Sequence, residues 1–392
     1  MYNVEDYRLA AKRRLPKGLF EFVDRGTEDE VALGSNAQAL RDIKLVPRTL
    51  VDVSKRSTRV SLFDRELAAP IAIAPTGAAG LMAYQGELAL ARAAAKVGLP
   101  QTLATGSLTA METIAEVENS NKWFQLYIWP DKKASQDLVS RAEAAGFQGL
   151  VVTVDVPVPS NREYNFRNGF TLPFRLTHRN VIDCVSHPRW LAGVIGRYAM
   201  STGLPRYENM PEEFRTRFTS APMGRAMPKS DCITWEDLQE LRKLWKGPLM
   251  IKGILRPEDA ERAIACGVDG IIVSNHGGRM LDSAIAPIHA LPAIAEQVAG
   301  RVPVLLDSGI RRGSDIVKAL ALGATTVLVG RAPLYGLTVD GEKGAQRVLE
   351  ILIDEVRRVI GLIGCPDIRD LNASFVSLPA NWPQSPLAEP KN

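Results

Sequence analysis

A repeated pattern constrains the fold of this chain more than any other feature. AEAAGFQGLVVTVD ends at Asp155, AIACGVDGIIVSN ends at Asn275, and ALALGATTVLVGR ends at Arg331. Each copy contains the end of an alanine-rich helix and a glycine suited to the left-handed backbone that follows a helix. A continuous apolar run follows, which is typical of a buried parallel strand. The repeat therefore predicts helices that alternate with parallel strands.

The whole chain offers eight strand candidates of this kind, with helical segments between them. They are residues 70–74, 100–104, 123–127, 149–154, 249–252, 270–274, 302–307 and 326–330. Eight βα units predict an α/β fold of the (βα)8 TIM-barrel type. An open, doubly wound sheet remains the alternative, because a count of strands does not establish closure.

Two regions lie outside the repeat, within what we interpret as a single domain over residues 1–392. Residues 1–69 are predicted to form an N-terminal helical cover at the bottom of the barrel. Residues 156–233 form a long insertion after strand 4, and an insertion of that length is commonly functional. Its segment 187–200 carries an apolar stripe at helical spacing: Trp190, Leu191, Val194, Ile195 and Tyr198. This stripe would lie in a membrane interface, or it would pack on the barrel or on a neighbouring subunit.

Composition excludes several classes of protein. The 392 residues are 46% hydrophobic and 23% charged, which suits one large core, and the net charge of +4 is only mildly basic. No aromatic or zinc-ligand pattern indicates nucleic-acid binding. The first residues lack the apolar core of a signal peptide, and the four cysteines form no metal or disulfide pattern. We therefore expect a cytoplasmic protein with no metal site and no nucleic-acid partner.

The polar residues of the repeat follow the predicted strands, at the barrel end where active sites lie. On the strands and loops of this rim are Pro75, Thr76, Gly77, Gln125, Tyr127, Thr153, Asp155, Arg162, Lys252, Ser274, Asn275, His276, Arg279, Asp307, Ser308, Gly309, Arg311, Gly330 and Arg331. The last two strands end in DSGIRRGSD and LVGRA, whose glycines and arginines suit a phosphate. Glycine turns with solvated arginines are the structural alternative.

The rim also carries one histidine, His276, in the stretch VSNHGGRMLD. A nearby carboxylate such as Asp155 would orient it and favour its charged form, which suits a general base. Arg162 and Arg279 could clamp a substrate carboxylate, and Lys252 could either stabilise an anionic cofactor or pair with Asp155. These residue types predict a phosphate-bearing ligand, a base and a carboxylate clamp, which serve redox, isomerase or aldolase reactions alike.

Longer motifs resemble one family. SNHGGRMLD, DSGIRRGSDIVKALALGA and WFQLY are similar to the FMN-dependent 2-hydroxy-acid oxidases and dehydrogenases, and the resemblance runs from about residue 4 to about residue 375. NVEDYR, RRLPK, LVDVSKRS, GELALARAA and IGCPDI are most similar to its bacterial (S)-mandelate-oxidising branch, with the L-lactate dehydrogenases next. The resemblance implies an FMN cofactor, which the rim residues alone do not indicate.

The resemblance also implies roles for the rim residues. The catalytic set would be His276 as the proton acceptor, Asp155 as its support, Arg279 and Arg162 on the carboxylate, Tyr127 on the hydroxyl and Lys252 beside the flavin. FMN would contact Pro75, Thr76, Gly77, Ala104, Gln125, Tyr127, Thr153, Lys252, Ser274, Asp307, Ser308, Gly309, Ile310, Arg311, Gly330 and Arg331. The substrate would contact Phe22, Gly106, Tyr127, Arg162, His276 and Arg279.

Four positions within these sets carry information on substrate and acceptor. Phe22 stands where most relatives carry a tyrosine that bonds the carboxylate, and Ala104 replaces a serine near the flavin. Gly106 stands where glycolate oxidase has a bulky tryptophan, which leaves room for a larger substrate. Gly77 follows a proline–threonine pair after which oxidases of the family usually carry alanine. This glycine therefore favours a dehydrogenase that passes electrons to a quinone.

Together these features imply oxidation of an (S)-2-hydroxy acid, either mandelate or a similar bulky acid, to the 2-keto acid. The resemblance further implies a homotetramer, with peripheral attachment to the inner face of the cytoplasmic membrane through the insertion. The alternatives are L-lactate as substrate, oxygen as acceptor, an FMN-barrel isomerase, a peptide-modifying flavoenzyme and a silent flavin-binding protein. Arg279 beside His276 argues against the isomerase and the peptide-modifying enzyme, and the complete rim argues against a silent protein.

Overall fold

The computed structural model describes residues 1–169, 177–219 and 231–382. The N-terminal segment forms helices α1 (Val4–Arg14), α2 (Lys17–Asp24) and α3 (Val31–Asp42), followed by strands β1 (Lys44–Leu45), β2 (Val60–Leu62) and β3 (Arg65–Leu67). Strands β2 and β3 pair as an antiparallel hairpin. Strand β1 pairs with the last strand of the chain, β12 (Val376–Ser377).

Eight parallel strands form a closed barrel, which confirms the predicted (βα)8 fold and rules out an open sheet. The strands are β4 (Ile71–Ile73), β5 (Pro100–Ala104), β6 (Asn121–Tyr127), β7 (Gly149–Thr153), β8 (Leu249–Ile254), β9 (Gly270–Val273), β10 (Val304–Leu306) and β11 (Thr326–Val329). The barrel closes because β11 pairs with β4 as well as with β10. Each strand lies on one of the eight predicted segments.

The repeated glycine has the predicted role. Gly146, Gly267 and Gly323 follow helices and adopt positive φ angles of 71°, 81° and 108°. A side chain is strained in this left-handed region, so glycine lets the chain leave each helix and enter the next buried strand. The same glycine-containing link between a helix and the next strand occurs in three of the eight βα units.

Helices follow the strands around the outside of the barrel. They are α4 (Gly86–Lys96), α5 (Met111–Ala115), α6 (Lys132–Ala144), α11 (Trp235–Leu244), α12 (Pro257–Ala265), α13 (Pro287–Val298), α14 (Gly313–Ala321) and α15 (Arg331–Leu362). Helix α12 begins with proline and has two acids in its first turn. Both are favourable at a helix N-terminus.

The N-terminal helices do not cover the bottom of the barrel, contrary to our prediction. Phe63, between β2 and β3, packs edge-on against Trp123 with ring centroids 6.1 Å apart, so the hairpin covers that end. Helix α3 lies at the opposite end, where the N–H of Thr27, just before it, donates to the carbonyl of Gly278. Local pattern identified these helices, but the choice of barrel end depends on contacts between residues far apart in the sequence.

The insertion contributes α7 (Glu163–Arg167), α8 (His178–Val185), α9 (Pro188–Trp190) and α10 (Arg197–Met200), with a π-helical stretch at Leu191–Gly196 between the last two. Residues 170–176 and 220–230 of the predicted insertion lie outside the described residues. The indole N–H of Trp190 donates to the carbonyl of Leu81 at 2.8 Å. The hydroxyl of Tyr198 accepts from the N–H of Gln85 at 3.1 Å.

The apolar stripe of this segment therefore packs on the chain's own barrel. Trp190, Val194 and Tyr198 are all buried against it. Across the described ranges, we found no helix with the length and apolar character needed to cross a membrane.

Candidate active site

A cavity of about 260 Å³ opens at the carboxyl ends of the barrel strands. Most of the predicted site residues line it: Phe22, Pro75, Thr76, Gly77, Ala104, Gly106, Gln125, Tyr127, Arg162, Lys252, His276, Arg279, Asp307, Ser308, Gly309, Ile310, Arg311, Gly330 and Arg331. The other three, Thr153, Asp155 and Ser274, adjoin this lining. Thr153 is the strand partner of Lys252, Asp155 bonds His276, and Ser274 bonds Lys252.

His276 and Asp155 form a half-buried pair. The Nδ1 atom of His276 lies 2.8 Å from an Asp155 oxygen, so Nε2 is the ring nitrogen left to accept a proton from a ligand. Burial lowers the pKa of His276 below its usual 6.5, although the Asp155 charge acts in the opposite direction. Burial alone would raise the pKa of Asp155, but His276 and Lys252 outweigh it and hold that pKa low. The pair therefore combines a neutral imidazole with a carboxylate at neutral pH.

A bulge in β8 makes room for this pair. Gly253 has a φ of 111°, and the register with β9 shifts between Lys252 and Ile254. A Cβ atom on Gly253 would lie only 2.6 Å from the Cβ of Asp155. A side chain at position 253 would displace Asp155, so the glycine is required by this close approach.

Lys252 is buried beneath the cavity among acceptors. Its ammonium lies 2.8 Å from the Ser274 hydroxyl, 3.3 Å from Asp307 and 3.9 Å from Asp155. Burial alone would lower its pKa, but Asp307 and Asp155 outweigh that effect and raise it. Lys252 therefore remains a cation, and its shorter ion pair is with Asp307 and not with Asp155.

Three arginines line the cavity and are held by backbone carbonyls. Arg279 donates to the carbonyl of Phe22 at 2.9 Å, and Arg331 donates to those of Val23 and Gly277 at 3.0 Å. Arg162 donates to the carbonyl of Arg279 at 3.3 Å, and its buried Nε atom has no hydrogen-bond partner in the described part of the chain. Among the described residues, the site's ion pairs involve Lys252 and His276 but none of these arginines.

The electrostatics of these arginines indicate a missing anion. Burial, followed by mutual repulsion with neighbouring arginines, lowers the pKa values of Arg279 and Arg331 to about 10. Burial also lowers the pKa of Arg162. Buried cations without carboxylate partners are costly unless a ligand supplies the counter-charge. The pocket is therefore built to receive negatively charged ligands.

Other buried polar groups fit the ring system of FMN. Gln125 Nε2 and Thr153 Oγ1 are buried and have no hydrogen-bond partner among the residues that the structure describes. Buried polar groups are normally paired, so a ligand with hydrogen-bonding edges is the natural partner. Both residues lie on neighbouring strands, β6 and β7, at the same end of the barrel.

The two glycine-containing turns provide a place for a phosphate. Gly330 precedes α15, and within the described ranges no side chain caps the N-terminus of that helix at the cavity. By contrast, the Asp315 carboxylate accepts from the N–H groups of Arg311 and Arg312 at the start of α14. An uncapped helix N-terminus beside Arg331 is a favourable site for an anion. The residues present therefore fit FMN at both its ring and its phosphate.

Sequence reasoning missed part of the lining. The additional residues are Val23, Ala74, Gly277, Leu328, Val329 and Leu334. Gly277 follows His276, and the strand residues Leu328 and Val329 precede Gly330. Their position next to predicted site residues could therefore have identified them. Val23 contributes its carbonyl to Arg331, and nothing in a side chain indicates such a role. Leu334 lies one turn into α15 and has no sequence signature of binding.

Comparisons with known proteins agree with this geometry. The family model described as FMN-dependent dehydrogenase matches residues 11–378. The chain is 42% identical over 380 residues to (S)-mandelate dehydrogenase of Pseudomonas putida, covering 96% of this chain and 94% of that protein. It is 42% identical over 370 residues to L-lactate dehydrogenase of Acinetobacter baumannii, covering 94% and 95%.

A solved structure is similar over the same extent. The crystal structure of the monotopic membrane protein (S)-mandelate dehydrogenase superimposes with a TM-score of 0.89 at 41% identity, covering 96% of this chain and 99% of that one. The chain therefore belongs to the family of FMN-dependent dehydrogenases.

Proposed function

We propose that this flavoenzyme oxidises an (S)-2-hydroxy acid to the 2-keto acid. The observation that carries the proposal is the His276–Asp155 pair at one cavity with two arginines, Arg162 and Arg279, that have no carboxylate partner among the described residues. A 2-hydroxy acid supplies both missing features. Its carboxylate would satisfy the arginines, and its hydroxyl carries the proton that a base must remove.

Each side chain of the site has a separate role in the proposed reaction. Arg279 and Arg162 bind and orient the substrate carboxylate through charge-assisted hydrogen bonds. His276 Nε2 accepts the hydroxyl proton, and Asp155 stabilises the imidazolium that results. Tyr127 donates to the substrate hydroxyl or its product carbonyl, and burial raises the pKa of its phenol, which therefore stays protonated. Bound FMN supplies the two-electron acceptor for the hydride that leaves the substrate α-carbon.

The cofactor would be held by the rest of the rim. Gln125 and Thr153 offer unpaired polar groups to the ring, and Lys252 offers a buried positive charge. Arg311, Arg331 and the N-terminus of α15 would bind the phosphate. The remaining FMN contacts are those predicted from sequence.

The expected substrate is mandelate or a similar bulky acid. Gly106 contributes no side chain to the cavity, which leaves room beside the site. The Phe22 ring lies 5.5 Å from the Arg279 guanidinium and presents an aromatic surface to the cavity. One relative is named for mandelate and another for L-lactate, so L-lactate is the second candidate.

We further propose a quinone as the electron acceptor and peripheral attachment to the inner face of the cytoplasmic membrane. The solved relative is described as a monotopic membrane protein. On the insertion, Ile182 and Val185 are 68% and 62% exposed on α8. Arg13, Arg14 and Arg189 line one surface pocket beside the end of this helix. Apolar side chains beside basic ones suit an anionic lipid surface.

Vesicle flotation tests the membrane proposal. The protein should float with vesicles that contain phosphatidylglycerol, and Ile182→Glu combined with Val185→Glu should abolish flotation without loss of flavin reduction. Leu362→Glu is the control, because Leu362 is exposed at the end of α15. Equal flotation of all three proteins would contradict the proposed surface. Light scattering would test the homotetramer that the family resemblance implies.

Substitution of the base tests the chemistry. His276→Asn should retain bound FMN but should lose reduction of the flavin by (S)-mandelate under anaerobic conditions by at least about 100-fold. Retained reduction would eliminate His276 as the base. Loss of FMN together with activity would be resolved by adding excess FMN before the measurement.

A further inference from the structure

The backbone around His276 adopts a conformation that needs support. His276, Gly277 and Gly278 are three consecutive residues with positive φ, at 58°, 68° and 71°. Glycine adopts this region freely, but histidine does so at a cost. Such strained residues persist only when their surroundings hold them in place. The turn at His276 therefore requires contacts from neighbouring residues.

A reciprocal pair of buried amides lies directly beside the turn. Asn36 Nδ2 donates to Asn275 Oδ1 at 2.9 Å, and Asn275 Nδ2 donates to Asn36 Oδ1 at 2.7 Å. The side chain of Asn275 then closes the turn around His276, because its Oδ1 also accepts the N–H of Gly278 at 3.1 Å. Its Nδ2 makes a further bond to the carbonyl of Ile285 at 3.2 Å. Asn36 therefore fixes the orientation of the amide that encloses the histidine.

Other contacts hold the same loop against α3 without Asn36. The carboxylate of Asp282 accepts from the N–H groups of Asp29 and Ala32, and the carbonyl of Gly278 accepts from Thr27. A Cβ atom on Gly278 would lie 2.6 Å from the backbone nitrogen of Leu33, so the packing here is close. Loss of the Asn36 side chain should leave this docking in place. Its effect should fall on the local orientation of the turn.

We propose that Asn36 is a positioning residue for His276, acting through Asn275. The amide pair holds the left-handed turn from which the imidazole reaches both Asp155 and the cavity. Helix α3, outside the barrel, thereby sets the geometry of proton transfer. This inference rests on the proposed function of His276. A purely structural role would stabilise the fold without affecting the proton-transfer step.

The test separates binding from chemistry in the FMN-loaded protein. Anaerobic stopped-flow mixing with (S)-mandelate gives the substrate dissociation constant and the rate constant of flavin reduction at saturation. Asn36→Ala should lower that rate constant at least tenfold, while the dissociation constants for mandelate and FMN stay within about twofold of the wild-type values. Asn36→Asp keeps the acceptor but loses the donor when ionised. Its rate constant of flavin reduction should lie between those of the wild type and Asn36→Ala.

Asn209→Ala is the matched control. Asn209 is fully buried and makes three hydrogen bonds, to Ser107, Thr109 and Met111, none of them to the histidine loop. At saturating mandelate, the rate constant of flavin reduction in Asn209→Ala should equal that of the wild type, even if the variant is less stable. An unchanged rate constant in Asn36→Ala, or an equal loss in Asn209→Ala, would overturn the inference.

Two other results are also decisive. A wild-type flavin that no 2-hydroxy acid reduces would overturn the proposed function and this inference with it. If Asn36→Ala does not hold FMN, Asn36→Asp carries the test, and a wild-type rate constant in that variant would overturn the inference.

Discussion

At the scale of single residues, the proposed roles of His276 and Asp155 predict how the reaction depends on pH. The base must be neutral to accept a proton, so flavin reduction should rise with pH through the pKa of His276 and then reach a plateau. Burial places that pKa below 6.5, so the plateau should extend through neutral pH. Reduction by (S)-mandelate, measured anaerobically from pH 4.5 to 8, tests this. A rate that rises only above pH 7 would contradict the assignment.

Replacement of Asp155 should change this profile in a defined direction. The Asp155 charge raises the pKa of His276, so Asp155→Asn should move the rising limb to lower pH. The plateau should also fall at least about tenfold, because the imidazolium formed in the reaction loses its carboxylate. An unshifted limb with a normal plateau would show that the pair has no part in the reaction.

Phe22 permits a test of carboxylate recognition. Its ring cannot donate a hydrogen bond, and it lies in the cavity beside Arg279. Phe22→Tyr should add one charge-assisted bond, worth roughly 1.5–3 kcal/mol, and so lower the dissociation constant for (S)-mandelate about tenfold or more. The neutral amide of mandelate is the matched control, since its carbonyl accepts only an uncharged hydrogen bond and should gain less affinity than the carboxylate. Equal changes for both ligands would point to a steric effect.

Gly77 tests the choice of acceptor. A Cβ atom at this position would lie 3.2 Å from the carbonyl oxygen of Gly106, so alanine fits only if that wall shifts slightly. The family resemblance implies that oxidases usually carry alanine here, so Gly77→Ala should raise oxygen consumption during turnover. An oxygen electrode measures it directly. An unchanged rate would remove Gly77 as a reason for the low oxygen reactivity that we propose.

Residue types predicted which side chains line the site better than they predicted the backbone contacts that hold those side chains in place. His276, Arg162 and Arg279 were found because they follow strand ends, where side chains of separate strands meet. Most of the carbonyls that hold Arg279 and Arg331 come from Phe22, Val23 and Arg25 of the N-terminal segment, and any residue provides a carbonyl. Such a contact leaves no mark on the sequence.

At the scale of elements, the insertion acts as a packed part of the barrel. Trp190 is buried and bonds the carbonyl of Leu81. Trp190→Ala should therefore lower the free energy of unfolding by about 3–5 kcal/mol, the usual cost of removing a buried aromatic side chain. Ile182→Ala, at an exposed site on α8, should change it by less than about 0.5 kcal/mol. Chemical denaturation of both FMN-loaded variants measures the difference, and equal losses would contradict the packing.

Three of the barrel strands could be predicted from a helix-ending glycine followed by an apolar run, and the other strands from their apolar runs. The β2–β3 hairpin was missed because its strands have three residues each, too few to show a period. The stripe at 187–200 was recognised as apolar, but periodicity does not reveal which surface covers it. The structure resolves that choice in favour of the barrel.

At the scale of the whole molecule, the N-terminal segment completes the site. It covers the rim at the carboxyl ends of the strands, supplies carbonyls to Arg279 and Arg331, and places Asn36 against the histidine loop. Eight βα units predicted a barrel and its active end from sequence alone. The identity of the cofactor could not be derived in that way, since the rim residues indicate only a phosphate and an anion. FMN was implied by motif resemblance and is established by the family match.

One measurement tests the central claim most directly. The purified FMN-loaded protein is mixed with (S)-mandelate in the absence of oxygen while flavin absorbance is recorded, with L-lactate in parallel. We predict rapid bleaching by mandelate, and only slow recovery of the oxidised spectrum when air is admitted. A flavin that stays oxidised with both acids would contradict the proposed oxidation of 2-hydroxy acids. A colourless protein that takes up no FMN would contradict the FMN site itself.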